Sequence, residues 1–232
     1  MNKHSQILED NEDFVLINKK AGENFHSDDG KMGFFQQLKN DYGDLYPVHR
    51  LDKVTSGLLV CAKNLEACRS LNTLFSERKV EKFYLAISDR KPKKKQGWII
   101  GDMEKSRRGT WKLCDSRDNP AVTQFFSTSM GSGERLFLLK PQTGKTHQLR
   151  VALKSLGSPI CGDPLYYPGL NKSCESRCYL HAYAMRFSLN GKKYTFTNTP
   201  TTSGGWFSND SFTNALEKKY LKPWDLAWPK RK

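Results

Sequence analysis

The stretch "PVHRLDKVTSGLLVCAKN", residues 47–64, places one acid among bases just before an apolar run. Asp52 lies between Arg50 and Lys53, and a turn-forming Thr-Ser-Gly sequence follows it. The run "GLLVCAK" at 57–63 is continuously apolar, which predicts a strand buried on both faces. From these residues alone Asp52 fits two roles: a side chain that caps the turn, or a functional acid beside a buried strand.

The rest of the chain alternates short β-rich runs with fewer helical ones. Strands are predicted at 13–19, 57–63 and 81–89, hairpins at "MGS" and "LNGK", and helices at 31–43, 65–77 and 143–157. Because strands outnumber helices and tight turns join neighbours, we expect an α+β fold with a mixed, largely antiparallel sheet flanked by helices. We expect a flexible N-terminus over 1–12 and one domain over 13–232 that ends in a basic tail.

The composition favours a polyanionic partner. Lys and Arg number 38 against 24 Asp and Glu, a net charge of +14 in 232 residues. Such an excess is typical of proteins that bind nucleic acid. No apolar run reaches the roughly 18 residues of a membrane helix, and the polar, acidic N-terminus does not resemble a signal peptide. The sequence therefore predicts a cytoplasmic protein without a membrane partner.

No metal or nucleotide cofactor is predicted. The six cysteines fit free thiols of the cytosol, and the Cys174–Cys178 pair has no second pair to complete a zinc site. The segment "TGKT" at 143–146 lacks the earlier glycine of a phosphate-binding loop, because Leu139 occupies that position.

The predicted helix at 143–157 separates apolar from basic side chains. The two sets are Leu149, Leu153 and Leu156 against His147, Arg150 and Lys154. At 100° per residue each set occupies one face, so we expect the leucines to pack on the sheet and the bases to face outward. An ordinary amphipathic helix with a solvated basic face has the same pattern.

Several segments, taken in order, resemble the RluA-type pseudouridine synthases. "HRLDKVTSGLLVCAKN" resembles the catalytic motif, "KFYLAI" the Lys-x-Tyr-x-Ala segment, and "TGKTHQLRVAL" the Gly-Arg-Thr-His-Gln-Leu-Arg segment. "SPICGDPLYY" and "RCYLHAYAMRF" resemble the pieces that follow, so the resemblance runs from about residue 13 to about residue 200. The chain departs from the pattern at Lys145, where the family has Arg, and at Lys20, where it has Pro. No S4-like RNA-binding domain is expected before Phe14.

The resemblance implies an isomerase that converts uridine in RNA to pseudouridine around a central active-site cleft, without a redox step or cofactor. It assigns the essential carboxylate to Asp52, and it assigns to Arg150 the cation that keeps this acid charged. Tyr84 corresponds to the active-site tyrosine, which can stack on the base and take part in proton transfer. A tyrosine packed in the core is the alternative for Tyr84.

Further residues are implied in substrate or RNA binding. The resemblance implies that Leu149 lines the uracil pocket and that Arg50 enters the space left by the everted nucleotide. Core packing and a phosphate contact are their respective alternatives. The remaining motif residues, without an assigned catalytic role, are His49, Thr55, Lys145, His147 and Gln148.

The expected partner is ribosomal or transfer RNA, and the expected state is a monomer. Candidate RNA tracks, or simply solvated loops, are Lys91, Lys93, Lys94, Lys95, Lys105, Arg107, Arg108, Lys230, Arg231 and Lys232. A catalytically silent RNA-binding module would not need Asp52, Tyr84 and Arg150 together. A hydrolase would need a second carboxylate or a metal cluster, and neither is evident.

Overall fold

The computed structural model describes residues 6–25, 32–131, 133–167, 177–200 and 205–231. Its strands are β1 (Gln6–Asp10), β2 (Phe14–Lys19), β3 (Tyr46–Pro47), β4 (Ser56–Ala62), β5 (Glu81–Ser88), β6 (Gln96–Gly101), β7 (Met103–Lys105), β8 (Trp111–Leu113), β9 (Ala121–Ser129), β10 (Arg135–Pro141), β11 (Leu180–Leu189) and β12 (Lys192–Thr197). Its α-helices are α1 (Phe34–Tyr42), α2 (Leu65–Ser76), α3 (Gln148–Ser155) and α4 (Asp210–Lys219). The α+β fold with a mixed, largely antiparallel arrangement of strands confirms the sequence prediction.

The chain divides into two compact units. The first comprises Met1–Lys82 and His181–Thr199, and the second comprises Phe83–Leu180 and Pro200–Lys232. The chain passes between the units three times, and two of these crossings lie inside continuous strands, at residues 82–83 of β5 and 180–181 of β11. A break in composition therefore does not mark the boundary.

In the first unit β4 is the central strand. It pairs antiparallel with β2 and β3 and parallel with β11, and all seven of its residues are buried. The apolar run at 57–63 therefore forms the fully buried strand that was predicted. The predicted "LNGK" hairpin joins β11 to β12, and Asn190 and Gly191 adopt the two positive φ angles, 49° and 76°, that such a turn requires.

The N-terminal prediction was wrong for the residues that the structure describes. Gln6–Asp10, expected to be flexible, form β1 and pair antiparallel with β2. The strand shows alternating half-buried and exposed positions, so it is an edge strand with little apolar content. Its formation depends on hydrogen bonding to β2, which the acidic composition of the segment did not indicate.

In the second unit β5, β10, β9 and β6 form an antiparallel sheet, in that order. The β9–β10 hairpin confirms the predicted Met-Gly-Ser turn region, of which Ser132 lies outside the described residues. The short strands β7 and β8 pair with each other and form a separate ribbon.

The basic tail lies on the sheet of this unit. Trp228 packs against Phe126 at 4.8 Å between ring centroids. The Trp98 indole and the Gln124 amide both donate to the Pro229 carbonyl, at 2.8 and 3.0 Å. Tertiary contacts therefore hold the backbone of the tail, while Lys230 and Arg231 are exposed.

The predicted helix boundaries hold at some ends only. The helix predicted to begin at residue 65 does so, because the Asn64 side chain accepts from the Ala67 amide at 2.8 Å and caps the start of α2. The helix predicted at 143–157 was too long, since α3 begins at Gln148. His147 has φ 56° and ψ 15°, a left-handed conformation that an α-helix cannot continue through. Among the described residues, no helix is both long and apolar enough to cross a membrane.

Gly57 is the point of closest approach between β4 and β11. Its φ is 106°, and a Cβ built on it would lie 2.3 Å from the Ala182 carbonyl oxygen. Side chains with a Cβ rarely adopt that φ, and no real contact is as short as that distance. The glycine after Thr55-Ser56 is therefore required by the parallel pairing.

We expect Gly57→Ala to lower the free energy of unfolding by roughly 2–5 kcal/mol, the sum of about 1–2 for backbone strain and about 1–3 for overpacking. Gly131→Ala is a matched control, because Gly131 has φ 111° but nothing within 4 Å of its Cβ position. The control should lose only the strain, about 1–2 kcal/mol. Urea denaturation of both variants measures the difference, and equal losses would contradict the close-approach explanation.

Candidate active site

The segment that carries Asp52 is a hydrogen-bonded turn leading into β4. The Thr55 amide donates to the Asp52 carbonyl at 3.0 Å. Asp52 itself is half-buried, whereas Thr55 is 3% exposed. The turn is closed by the backbone carbonyl of Asp52, and the two roles considered for its carboxylate, capping the turn or acting in function, both stay predictions.

A buried ammonium group supports this turn. Lys19 is fully buried at the end of β2, and its Nζ donates to the carbonyls of Lys20 and Thr55, each at 2.9 Å. Longer bonds of 3.4 Å reach the carbonyls of Asp52 and Lys53. Burial lowers the pKa of Lys19 to about 8, against the opposing effect of the Glu23 and Asp52 charges. One cation thus binds the carbonyl of Asp52 itself and those of Lys53 and Thr55, which follow it.

Ser56 connects the same turn to β11. Its hydroxyl lies 2.8 Å from His181 Nδ1, and His181 Nε2 lies 2.8 Å from the Asn198 carbonyl oxygen. Since a carbonyl only accepts, the bond to Asn198 places a hydrogen on Nε2, and in the neutral ring Nδ1 then accepts from Ser56. Both Ser56 and His181 are buried, so these hydrogen bonds join β4 to β11 inside the protein.

His49 is engaged inside the protein. The Val60 amide donates to its Nε2 at 3.0 Å, and its ring stacks on Phe75 at 4.6 Å. Burial, helped by the positive charge of Lys82, lowers the pKa of His49 to about 3. The ring is therefore neutral at physiological pH and carries its hydrogen on Nδ1. Arg50, the next residue, is exposed and accessible to a ligand.

In the second unit the expected orientation of Arg150 was wrong. Instead of facing solvent, Arg150 is 3% exposed, and its Nε and NH2 groups donate to the two carboxylate oxygens of Asp163, each at 2.8 Å. The segment after α3 folds back over that face of the helix and supplies the counter-charge. The proposed pairing of Arg150 with Asp52 stays a prediction.

Gln148 uses its whole side-chain amide within the second unit. Its Oε1 accepts from the Thr143 hydroxyl at 2.7 Å and the Lys145 amide at 3.0 Å. Its Nε2 donates to the Val122 carbonyl at 3.0 Å and the Thr123 hydroxyl at 2.9 Å. All four hydrogen-bonding sites of this amide are thus filled. Gln148 fixes the segment 143–147 to β9 and is 5% exposed.

The other candidate residues of the second unit are placed on α3 and β5. Leu149 is 8% exposed, which suits core packing and leaves an edge of the side chain accessible. Tyr84 is half-buried, and the alternation of β5 places it on the face opposite Phe83, which is fully buried. Tyr84 is therefore not wholly enclosed by the core. His147 Nδ1 lies 2.8 Å from the Tyr166 hydroxyl.

Sequence reasoning did not assign a role to Lys19, Asp163 or His181. Lys19 ends an apolar strand, a position from which a lysine commonly reaches solvent, and its burial depends on carbonyls that are 33 to 36 residues away. Asp163 was part of a matched segment, "GDPLYY". The signal that could have found it is the need of a buried Arg150 for a counter-charge. Among the described residues, no group of three or more metal-binding side chains occurs.

Comparison with known proteins identifies the relatives of this chain. The sequence profile of the RNA pseudouridylate synthase family matches residues 13–155. An uncharacterized RNA pseudouridine synthase of Haemophilus influenzae is 48% identical over 209 residues, which is 89% of this chain and 92% of that protein. The dual-specificity RNA pseudouridine synthase RluA of Pasteurella multocida is 34% identical over 191 residues, 78% of this chain and 85% of that one.

A solved structure is also similar. The human RNA pseudouridylate synthase domain containing 1 protein superposes with a TM-score of 0.71 at 27% identity, covering 84% of this chain and 83% of that one. Fold and motifs together define an RNA-modifying isomerase. The chain belongs to the RNA pseudouridylate synthase family, and its relatives are RluA-type enzymes.

The neutral state of the half-buried His49 predicts a pH-dependent stability. Because its folded pKa of about 3 lies below the ordinary 6.5, the unfolded chain binds the proton first as the pH falls. The contribution is fully present above pH 6.5 and is lost progressively toward pH 3. Between pH 7 and pH 4.5 we expect it to account for roughly 2–3 kcal/mol of lost stability.

We expect His49→Gln to flatten this dependence, since the Gln oxygen can accept from the Val60 amide without titrating. Chemical denaturation at a series of pH values measures the slope. Arg50→Gln, at the exposed neighbouring position, should keep the slope of the parent. If His49→Gln also keeps it, His49 is not the group responsible.

Proposed function

We propose that this protein converts specific uridines of structured RNA to pseudouridine with Asp52 as the essential carboxylate. The observation that carries this proposal is that Asp52 belongs to the family-matched region and sits on a turn whose backbone is bonded to a buried cation. A carboxylate on a fixed backbone can be held at one orientation toward a ribose or a base. Residues 13–232 are proposed to act as one catalytic domain.

The reaction is an isomerisation, and its atoms balance without an oxidant or a hydrolytic water. The C1′–N1 glycosidic bond breaks, the uracil turns, and C1′ forms a bond to C5. The C5 hydrogen leaves as a proton while N1 gains one. An ionised Asp52 supplies the negative group that acts either as a nucleophile or as a base toward the ribose or the uracil.

Tyr84 and Arg150 are proposed as the other catalytic side chains. Tyr84 can stack on the target base, and its hydroxyl is a candidate for proton transfer at C5. The half-buried position of Tyr84 supports this role. Arg150 is proposed to keep Asp52 ionised, in the way that the family resemblance implies. Its bidentate bond to Asp163 supports a fixed guanidinium orientation.

The proposed substrate contacts differ in character. Arg50 is exposed and suits either the vacated space in the RNA or a phosphate, and Lys145 is half-buried and suits a phosphate. Leu149 is proposed to line the uracil pocket. The engaged side chains of His49, Gln148 and His147 suit positioning of the motif segments rather than direct readout of RNA.

The RNA class is proposed to be ribosomal or transfer RNA, with a monomeric protein acting in the cytoplasm. Support for the RNA partner comes from the charge of +14 and from the exposed cations of the loops. The exposed candidates are Lys91, Lys93, Lys94, Lys95, Lys105, Arg107, Arg108, Lys230 and Arg231. Lys232 lies outside the described residues.

Tritium release from RNA labelled at uridine C5 tests the proposal directly, because the C5 hydrogen must leave during isomerisation. We expect Asp52→Asn to lower the single-turnover rate at least about a thousandfold, since the amide cannot act as base or nucleophile. Asp44→Asn, at an exposed acid of the same unit, should retain the rate of the parent. Release by Asp52→Asn at the rate of the parent would refute the role of Asp52.

A further inference from the structure

Tyr166 joins two elements of the second unit through one hydroxyl group. It is 2% exposed. The Trp111 backbone amide of β8 donates to the Tyr166 oxygen at 2.9 Å. The same oxygen lies 2.8 Å from Nδ1 of His147, the residue that precedes α3. Because the amide can only donate, the hydroxyl accepts from Trp111 and has its own hydrogen available for His147.

The ring of Tyr166 contacts α3 as well. The Arg150 guanidinium lies over the ring at 5.0 Å from the centroid, and the Lys154 ammonium lies at 5.5 Å. The Asp163 carboxylate that binds Arg150 also accepts from the Tyr166 amide at 3.2 Å. Tyr166 is therefore held by its backbone, its ring and its hydroxyl, and a shift of β8 would act on His147 and Arg150 together.

His147 is held in an unusual conformation at this junction. Its φ of 56° is in the left-handed region, which costs a residue with a side chain about 1–2 kcal/mol. Such conformations persist where the surroundings determine them, and they cluster at sites of function. The bond to Tyr166 is one interaction that holds His147 in place.

The β7–β8 ribbon presents cations at its exposed bend. Residues 103–113 contain four basic residues against one acid, Glu104, and that acid is paired with Lys112 at 3.0 Å. Arg107 and Arg108 lie at the bend and are exposed. Lys105 lies over the half-buried Trp111 ring at 5.9 Å. A short ribbon of this charge suits the phosphates of an RNA backbone.

We infer that Tyr166 is a positioning residue that couples RNA contact at the β7–β8 ribbon to the placement of His147 and Arg150 at α3. The inference rests on the proposed function. RNA phosphates bound at Arg107 and Arg108 fix the ribbon, the Trp111 amide fixes the Tyr166 hydroxyl, and the hydroxyl fixes His147 at the start of α3. The segment beyond residue 155, which the family profile does not match, thereby takes part in substrate response.

A double-mutant cycle tests this coupling. The four proteins are the parent, Arg107→Ala/Arg108→Ala, Tyr166→Phe and the combined variant, each assayed for RNA affinity against salt and for single-turnover tritium release at saturating RNA. Tyr166→Phe removes only the hydroxyl and keeps the ring beneath Arg150. Tyr167→Phe is the matched control, because it removes the hydroxyl of the neighbouring tyrosine, which donates to Asp89.

The arginine pair should reduce the slope of log affinity against log salt by roughly 1.5–2 units, since two phosphate contacts are lost. Tyr166→Phe should leave that slope unchanged and lower the rate at saturating RNA about tenfold. In the combined variant the further effect of Tyr166→Phe on the rate should fall to less than about twofold. Tyr167→Phe should match the parent throughout.

Independent effects, in which Tyr166→Phe lowers the rate equally with and without the arginines, would overturn the coupling. So would an unchanged salt slope in the arginine variant. If Tyr166→Phe fails to fold, His147→Ala repeats the cycle from the other end of the hydrogen bond, with the same expectation. If the parent releases no tritium from any RNA, the proposed function fails, and the coupling is then judged by the same cycle in RNA affinity.

Discussion

The buried ammonium of Lys19 is the interaction on which the organisation around Asp52 depends. The Lys19 side chain is fully buried at the end of β2, and its ammonium group donates to four backbone carbonyls. Burying a charge is unfavourable unless hydrogen bonds compensate, and the Asp52–Thr55 turn supplies three of the four acceptors. The turn and the cation therefore stabilise each other.

The second unit also buries a cation, and there an ion pair compensates the buried charge. Arg150 and Asp163 are both almost inaccessible, with side-chain exposures of 3% and 0%. Such a pair is weak evidence for stability, because desolvation offsets most of the attraction. Its effect is on geometry: the two parallel hydrogen bonds fix the plane of the guanidinium. The tyrosine beneath that plane extends the same fixed geometry to His147 and to β8.

Much of the fold could be predicted from local pattern. The apolar run of β4, the helix that begins at residue 65, the β9–β10 hairpin and the "LNGK" turn were predicted from local signals, and each is present in the structure. The start of α3 was misplaced because His147 is left-handed, and one contact that holds it there comes from Tyr166, which lies 19 residues away. The strand β1 was missed because its stability comes from pairing with β2.

The candidate site was predicted only in part, because some of its features depend on residues that are distant in the sequence. Asp52 stands out locally as an acid among bases, whereas the burial of Arg150 follows from an acid in a later segment that closes over the helix. Periodicity placed Arg150 correctly on the face opposite the leucines, but it could not show that this face is covered. Lys19 had no local signal for burial, since three of its four acceptors are brought to it only by the fold.

The most direct measurement is pseudouridine mapping of total RNA from cells that lack this protein. The same cells are also mapped after rescue with either the parent chain or the Asp52→Asn variant. The account predicts that one or a few uridines lose the modification, that the parent chain restores it, and that Asp52→Asn, expressed at the same level, does not. An RNA pattern unchanged by loss of the protein, or full restoration by Asp52→Asn, would contradict it.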